Sequence, residues 1–234
     1  MKLKVSIAVI LTAAAIPAFA ADTSTVISNA LTLIGTNSAT NIITGPPKSL
    51  TDSFTNSADM LLVNAAGMLV GKFDVTQAQY QKVMGFNPSA FPGLTRPVDS
   101  VSWNDAMEFC QKMTDEDNAK KLLPPGYFYT LPTEDEWQSL VGDASLDDAV
   151  TSANGDRDGT APVGSMKPNN LGLYDMRGNV MQWTLGDNSK PYRVLKGGSW
   201  QDSIEINLRL DFRNYEPPEA KQNTFGFRVV LKKK

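Results

Sequence analysis

Hydrophobic residues in the first half of the chain fall into short runs separated by turn-forming residues. Residues 60–63 and 68–73 are two such runs, and Gly67 ends the stretch between them. Short apolar runs joined by a glycine-containing turn are typical of two antiparallel strands. The pattern therefore predicts a β-hairpin at the start of a folded domain over residues 58–234.

Apolar residues next recur at the spacing of helices. Thr76 with Gln79, and Thr133 with Glu136, have the three-residue spacing of a capping box, in which each side chain bonds to the backbone of the other residue. These pairs predict that helices begin at Thr76 and Thr133. Pro132 is expected in the first turn of the second of them.

A further helix is expected to begin at residue 102. Trp103, Ala106, Cys110 and Met113 follow at intervals of three and four residues, which places them on one side of a helix. A cysteine on such a stripe is expected to be a small core residue, because a reactive thiol needs exposure and positively charged neighbours.

Helical periodicity ends after residue 141. Glycine, asparagine, aspartate and proline interrupt the rest of the sequence, and only short runs such as residues 192–196 and 227–231 remain. Irregular backbone of this length needs internal partners for its amides and carbonyls. We therefore expect a fold that depends on turns, side-chain hydrogen bonds and ions more than on long ladders of strands.

The first twenty residues have the pattern of a secretory signal peptide. Lys2 and Lys4 precede an apolar run, and a small-residue cleavage site ends at Ala20. The run is shorter than the roughly 20 residues that a membrane-spanning helix needs. We therefore expect a periplasmic or secreted protein with no stable membrane span after signal cleavage.

Residues 21–57 are rich in Ser, Thr and Asn, which predicts a flexible leader ahead of the domain. The alternative is an arm that packs on the domain through Val26, Leu31, Leu33 and Ile34.

Charge and composition exclude several functions. Signal cleavage removes Lys2 and Lys4, which leaves 22 − 2 = 20 basic against 25 acidic residues and a net charge of 20 − 25 = −5. Nucleic-acid binding is therefore not expected. The single cysteine cannot form an intramolecular disulfide. The chain has no histidine, which excludes Ser-His-Asp catalysis, Cys-His catalysis and ordinary zinc hydrolysis.

Four segments in a fixed order resemble the formylglycine-generating-enzyme family, the sulfatase-modifying factors. They are residues 131–137 (LPTEDEW), 172–184 (GLYDMRGNVMQWT), 197–200 (GGSW) and 225–228 (FGFR). The resemblance extends over most of the chain that follows the leader. It implies a single α+β domain with an elaborated C-type-lectin-like fold, little regular secondary structure and a short antiparallel sheet.

The resemblance also implies a structural calcium ion. Carried over by position, Asp175 would supply a carboxylate, Gly178 and Val180 would supply carbonyls, and Gln182 would supply a side-chain oxygen, which are donors that calcium favours. Many relatives instead have the charged ligand at the position of Gln182 and an amide at that of Asp175. The alternative is an Asx turn at Asp175, with Gln182 bonded to buried backbone groups and no ion.

Copper and iron are not expected. The two copper-binding cysteines of the sulfatase modifiers would lie between Ser199 and Arg213, and that stretch contains no cysteine, since Cys110 is far upstream. Cu(I) selects sulfur ligands, which carboxylates cannot replace. Related sulfoxide synthases hold iron with histidines, which this chain lacks.

The same stretch contains the candidates for catalysis, which are Asp202, Asp211, Arg209 and Arg213. A pair of carboxylates can act as general acid and general base. The alternative is that these residues form ion pairs in contact with solvent, as surface charges usually do.

Aromatic residues near the two arginines are candidates for binding. Trp200, Phe212 and Tyr215 could form a groove that grips an extended peptide, and the alternative for Trp200 is a place in the core. We expect an exported binding or regulatory module for an envelope or extracellular protein or peptide. One alternative is an enzyme that modifies a peptide or secondary metabolite, and another is a display protein that varies between copies from residue 200 to residue 223.

Overall fold

The computed structural model describes residues 42–43 and 53–234 of the chain. Most of these residues lie outside regular elements, which confirms an α+β domain with little regular secondary structure. Among them, no helix is long and apolar enough to cross a membrane. The described strands are β1 Ile42–Ile43, β2 Ser53–Thr55, β3 Leu61–Ala65, β4 Met68–Gly71, β5 Tyr127–Thr130, β6 Met181–Trp183, β7 Arg193–Lys196, β8 Asn214–Glu216, β9 Phe225–Gly226 and β10 Val230–Lys233. The α-helices are α1 Gln77–Met84, α2 Trp103–Ala119 and α3 Glu134–Val141, and 3₁₀ helices cover Ser152–Asn154 and Glu205–Leu208.

The strands form two sheets. One has six strands in the order β1-β2-β3-β4-β10-β5, and the other has four in the order β8-β7-β6-β9. Pairing is antiparallel except between β1 and β2 and between β6 and β9. The last strand in the sequence, β10, therefore lies inside the larger sheet, and β8 is an edge strand of the smaller one.

The predicted hairpin is confirmed. Ala65 pairs with Met68, so Ala66 and Gly67 form a two-residue turn, and their φ angles are 49° and 79°. Positive φ at both turn residues is the type I′ geometry, whose twist matches that of the strands.

Strand β2 lies within the range 21–57 that the sequence assigns to a leader. Phe54 pairs with Leu62 of β3 and its side chain is buried in the main core. The folded domain therefore begins before residue 58, because burial of Phe54 and pairing with β3 both favour an ordered strand. The predicted signal peptide, and the parts of the leader at residues 21–41 and 44–52, lie outside the described residues.

The three α-helices that the structure describes all begin with a capping box. In α1 the Gln79 N–H donates to the Thr76 hydroxyl at 3.3 Å, and the Thr76 N–H donates to Gln79 Oε1 at 2.9 Å. Ser102 and Thr133 cap α2 and α3 in the same way. The prediction for Pro132 is wrong, because this residue precedes the cap and lies outside the helix.

The stripe predicted on α2 faces the main core. Ala106, Cys110 and Met113 are buried there, and the half-buried Trp103 packs against the same cluster. A smaller core lies between α3 and the six-stranded sheet, where Trp137 is fully buried.

Gln77 holds the loop that follows α1. Its fully buried Nε2 donates to the carbonyls of Phe91 and Pro97 at 2.8 and 3.2 Å. Its Oε1 accepts from Asn87 Nδ2 and from the Gly93 N–H, both at 2.9 Å. The amide thus uses both donors and both acceptors.

Arg228 joins the large sheet to the loop at residues 172–182. Its fully buried guanidinium donates to the carbonyls of Gly71 and Tyr174 and to Asp74 Oδ1, the last at 3.2 Å. A buried charge needs such partners, because removal from water is costly.

Replacement of the buried arginine tests its structural role. We expect Arg228→Met to lower the free energy of unfolding by about 3–5 kcal/mol in urea titrations, because Asp74 stays buried without its partner. Adding Asp74→Asn should recover part of the loss. The control is Lys120→Met, which breaks an exposed pair with Glu116 and should change stability by less than about 1 kcal/mol. Wild-type stability of Arg228→Met would contradict this role.

Candidate functional site

Asp175 begins the loop to which the resemblance assigns calcium. The residue has a φ of 55° and is 8% exposed. Its Oδ2 accepts a hydrogen bond from the Gly164 N–H at 2.7 Å. Burial raises the pKa of the Asp175 carboxyl, and the hydrogen bond from Gly164 and the charge of Arg228 offset part of this effect. The carboxylate therefore already has an internal donor.

Gln182 lies at the other end of this loop, in β6, and is buried. Its Nε2 donates to the carbonyl of Asp175 at 2.8 Å, and its Oε1 accepts from the indole N–H of Trp137 at 3.0 Å. The amide thus links the two ends of the loop to α3.

Backbone contacts hold the middle of the loop. The Gly178 N–H donates to the carbonyl of Gly197 at 2.9 Å, and a Cβ at Gly178 would lie 2.6 Å from the carbonyl oxygen of Val150. Asn179 exchanges hydrogen bonds with the backbone of Ala161 at 3.0 and 3.1 Å. Close approach of the chain therefore requires glycine at position 178.

Two of the four expected ligands, Asp175 and Gln182, already have hydrogen-bond partners inside the protein. The Gln182 oxygen is bonded to an indole, and the amide nitrogen, rather than an oxygen, faces the Asp175 carbonyl. The side chain of Val180 is fully buried. In the described part of the chain, no group of three or more His, Cys, Asp or Glu side chains could hold a metal ion. Calcium at this loop stays an expectation from the resemblance, and the hydrogen bonds of Asp175 and Gln182 favour the alternative of a loop without an ion.

Asp202 holds a turn together. The residue is 9% exposed, and its Oδ2 accepts from both the N–H and the hydroxyl of Ser199 at 2.8 Å. Its Oδ1 accepts from Asn207 Nδ2 at 3.1 Å. Its carboxylate therefore fixes the backbone ahead of the 3₁₀ helix at Glu205–Leu208.

The other three catalytic candidates form surface ion pairs. Arg209 donates to both oxygens of Asp211, at 2.9 and 2.8 Å, and this hydrogen-bonded pairing lowers the pKa of Asp211. Arg213 pairs with Glu134 of α3. Asp202 and Asp211 line different depressions. The structure thus does not bring the two carboxylates together as an acid and base.

The expectation that Trp200 lines an exposed groove is wrong. The residue is 9% exposed, its indole N–H donates to the carbonyl of Asn223 at 3.1 Å, and its ring meets Phe91 edge to face at 5.1 Å. The large ring is buried and its N–H is hydrogen-bonded, as expected for the alternative in which Trp200 belongs to the core.

Phe212 and Tyr215 do come together, in a depression of about 360 Å³ that we call the aromatic depression. Tyr215 is 54% exposed, and its ring meets that of Tyr192 edge to face at 5.0 Å. The residues that line the depression are Ile206, Arg209, Asp211, Phe212, Arg213 and Tyr215.

A second depression of about 270 Å³ lies beside the 3₁₀ helix, and we call it the amide depression. Uncharged hydrogen-bonding groups dominate its lining, and its one carboxylate, Asp202, is bonded internally. The side-chain amides among its lining residues are Gln201, Asn207, Asn214 and Gln222.

Two buried cations on β7 hold segments at the aromatic depression, and sequence reasoning missed both. Lys196 is 3% exposed and donates to the carbonyls of Leu210 and Phe212, both at 2.7 Å; burial lowers the pKa of Lys196. Arg193 lies 4.4 Å from the ring of Trp103 and donates to carbonyls of the preceding loop. The sequence signal that could have indicated them is the presence of two cationic residues in the otherwise apolar run 192–196.

Removal of calcium tests the loop. The hydrogen bonds of Gln182 predict that excess calcium leaves the melting temperature of chelator-treated protein unchanged. A site filled at one hundred times its Kd would add about 2.7 kcal/mol, or roughly 5 to 10 °C for a domain of this size. Magnesium at the same ionic strength is the control. A shift of that size with calcium alone would support the ion implied by the resemblance.

Known proteins share both the sequence and the fold. The chain is 30% identical over 236 residues to the chaperone protein LppX of Paenibacillus barcinonensis. The match covers 73% of this chain and 82% of that protein. The chain is 29% identical over 166 residues to the inactive C-alpha-formylglycine-generating enzyme 2 of Mus musculus, over 58% of this chain and 49% of that protein. It thus spans about half of the mouse protein.

A solved structure confirms the C-type-lectin-like fold. Treponema denticola variable protein 1 matches with a TM-score of 0.60 at 27% identity, over 69% of this chain and 83% of that one. The family model described as "Sulfatase-modifying factor enzyme 1-like domain" matches residues 36–145 and 140–233. Because these matches cover most of its length, the chain belongs to the sulfatase-modifying factor family, whose members include formylglycine-generating enzymes.

Proposed function

We propose that this chain is an exported, protein-binding member of the family that acts without copper chemistry. The signal-peptide pattern of residues 1–20 supports export. One observation carries the proposal. Between Ser199 and Arg213, where the copper-dependent relatives have two cysteines, this chain builds exposed apolar surface next to a partly buried aromatic residue, Phe212.

The exposed apolar residues are grouped. Ile204 and Ile206 are 61% and 60% exposed, and Tyr215 and Tyr192 are 54% and 38% exposed. Single exposed apolar residues are normal, but a group of them around a depression is typical of surfaces that bind other proteins. Tyrosine is also enriched at the centres of such interfaces.

The polar groups of this surface offer little for catalysis. Each carboxylate among the candidates is hydrogen-bonded to a neighbouring side chain or backbone N–H, and the pKa of Asp211 is lowered by Arg209. A general acid near neutral pH needs a raised pKa. These pairings favour binding over the alternative of a non-copper enzyme.

The names of two relatives support the same proposal. One relative is named as a chaperone protein and the other as an inactive formylglycine-generating enzyme. The first name concerns interaction with proteins, and the second indicates that the family includes members without the oxidation reaction. We infer a partner protein or peptide in the envelope or outside the cell.

An oxygen-consumption assay tests the loss of copper chemistry. The purified mature protein, supplied with Cu(I) and a cysteine peptide of the sulfatase type, should consume no oxygen above a protein-free control and should form no aldehyde by mass spectrometry. The reason is that residues 199–213 contain no sulfur ligand. A copper-dependent formylglycine-generating enzyme is the positive control. Measurable turnover by this chain would overturn the proposal.

Site-specific cross-linking tests the binding surface. A photoreactive amino acid in place of Tyr215, in the native host, should yield a discrete adduct with one exported protein. The control is the same amino acid at Gln111, which is exposed on α2. Adducts of equal yield and pattern from both positions, or none from Tyr215, would contradict a binding surface at the aromatic depression.

A further inference from the structure

We propose that the partner binds by strand addition, with an extended, uncharged segment pairing along the free edge of β8. This inference rests on the proposed function, because it names the form in which the partner protein presents itself. It goes beyond that function in assigning the main chain of one residue, Tyr215, as the docking point.

The backbone groups of β7 face its two neighbouring strands in turn. The Thr184 N–H donates to the carbonyl of Val194 at 2.9 Å, so the backbone groups of Val194 face β6. In an antiparallel pair these groups alternate in direction from one residue to the next. The two residues beside Val194, Arg193 and Leu195, therefore face β8.

The same alternation determines which backbone groups of β8 face away from β7. Asn214 and Glu216 lie opposite Leu195 and Arg193, so they form the hydrogen-bonded pairs with β7. Tyr215 lies opposite Val194, and it directs its N–H and C=O away from the sheet. Among the described residues β8 is an edge strand, so in that part of the chain these groups face no further strand, and no turn or loop hydrogen bond reaches them.

The two depressions flank this edge. Successive side chains of a strand point to opposite faces, and accordingly Asn214 lines the amide depression and Tyr215 lines the aromatic depression. A segment added beside β8 would place alternate side chains into each. The structure therefore selects a segment that alternates uncharged polar side chains with apolar ones.

Charge pairing explains why the segment should be uncharged. Arg209 is bonded to Asp211, and Arg213 is bonded to Glu134, so neither arginine is a free cation. Glu205, near Arg209, is exposed but lies outside both linings. A charged side chain entering either depression would lose water without gaining a partner.

The edge is short and is held rigid. Two prolines, Pro217 and Pro218, follow β8 directly, and they cannot donate to a further ladder. On the side of the aromatic depression, Lys196 donates hydrogen bonds to the carbonyls of Leu210 and Phe212. Tyr215 is the one residue of β8 whose backbone faces outward, so main-chain pairing within this strand is confined to it. A preformed surface lowers the ordering cost of binding.

Nuclear magnetic resonance of the ¹⁵N-labelled mature protein tests the proposal. The probe is an end-blocked peptide of seven residues that alternates Asn or Ser with Val or Leu. It should shift the amide signals of Tyr215, Asn207 and Asn214. A peptide N-methylated on its central residues should bind about fivefold more weakly, the factor that one net main-chain hydrogen bond supplies. A version with Lys and Glu at the polar positions should also bind more weakly.

Two proline variants test the register from the protein side. Tyr215→Pro should fold, because its N–H faces outward, yet bind the probe about fivefold more weakly than Tyr215→Ala, which loses the same ring but keeps the N–H. Asn214→Pro should lower the melting temperature, because it removes a bond to β7. If Tyr215→Pro fails to fold, the affinity of the N-methylated peptide for the wild-type protein still decides whether main-chain pairing occurs.

The outcomes separate this proposal from the proposed function. Equal affinity for the parent and N-methylated peptides, or no shift at Tyr215 with millimolar probe, overturns strand addition. If the cross-linker at Tyr215 still captures an exported protein, the binding function stands and only its mode is wrong. Loss of affinity on N-methylation together with shifts at Tyr215 and Asn214 supports strand addition.

Discussion

Buried amides and carbonyls in irregular loops must be hydrogen-bonded, and this constraint decides how the whole domain is built. Several buried side chains each bond to two or more backbone groups of distant segments, among them Gln77, Asn169, Asn179, Lys196 and Arg228. The two cations make charge-assisted bonds, which are stronger than neutral ones. Such bonds account for the order of loops that, in the part of the chain that the structure describes, have neither long ladders of strands nor disulfides.

The same constraint positions the candidate site. Lys196 and Arg193 are three residues apart on β7, and each is bonded to the carbonyls of a different loop. Lys196 holds the segment that carries Phe212, and Arg193 holds the loop that carries Tyr192. A surface held by buried charges is ordered before a partner arrives, so less conformational entropy is lost on binding. The binding surface proposed for this chain is thus held by buried charges on β7.

Much of the fold was predictable because its signals are local. The helix caps at Thr76 and Thr133 and the turn at Gly67 follow from short spacings, and the ordered family segments add the overall fold. The depression around Phe212 and Tyr215 was also foreseen. The burial of Trp200 was only an alternative, because its partner Phe91 is over one hundred positions away in the sequence and nothing local pairs the two.

Long-range contacts explain the remaining differences. A lysine in a short apolar run looks like a surface residue, and only the structure shows that Lys196 reaches the carbonyls of Leu210 and Phe212. The strand that contains Phe54 lies in a polar stretch, and pairing with β3 rather than local propensity makes it a strand. The role of Gln182 likewise depends on Trp137, which is 45 residues away.

Native-state hydrogen exchange of the mature protein in chelator tests the central claim most directly, because it measures the order of the loops without metal or partner. Two loop amides are informative: that of Asp202 donates to the Ser199 carbonyl, and that of Phe212 donates to the Arg209 carbonyl. The account predicts that both are protected from exchange to a degree approaching that of the amides of Val70 and Val230 in the large sheet. Lys196→Met should abolish the protection at Phe212 and leave the sheet unchanged. Free exchange of these loop amides in the wild-type protein, beside a protected sheet, would contradict a surface ordered by buried side chains.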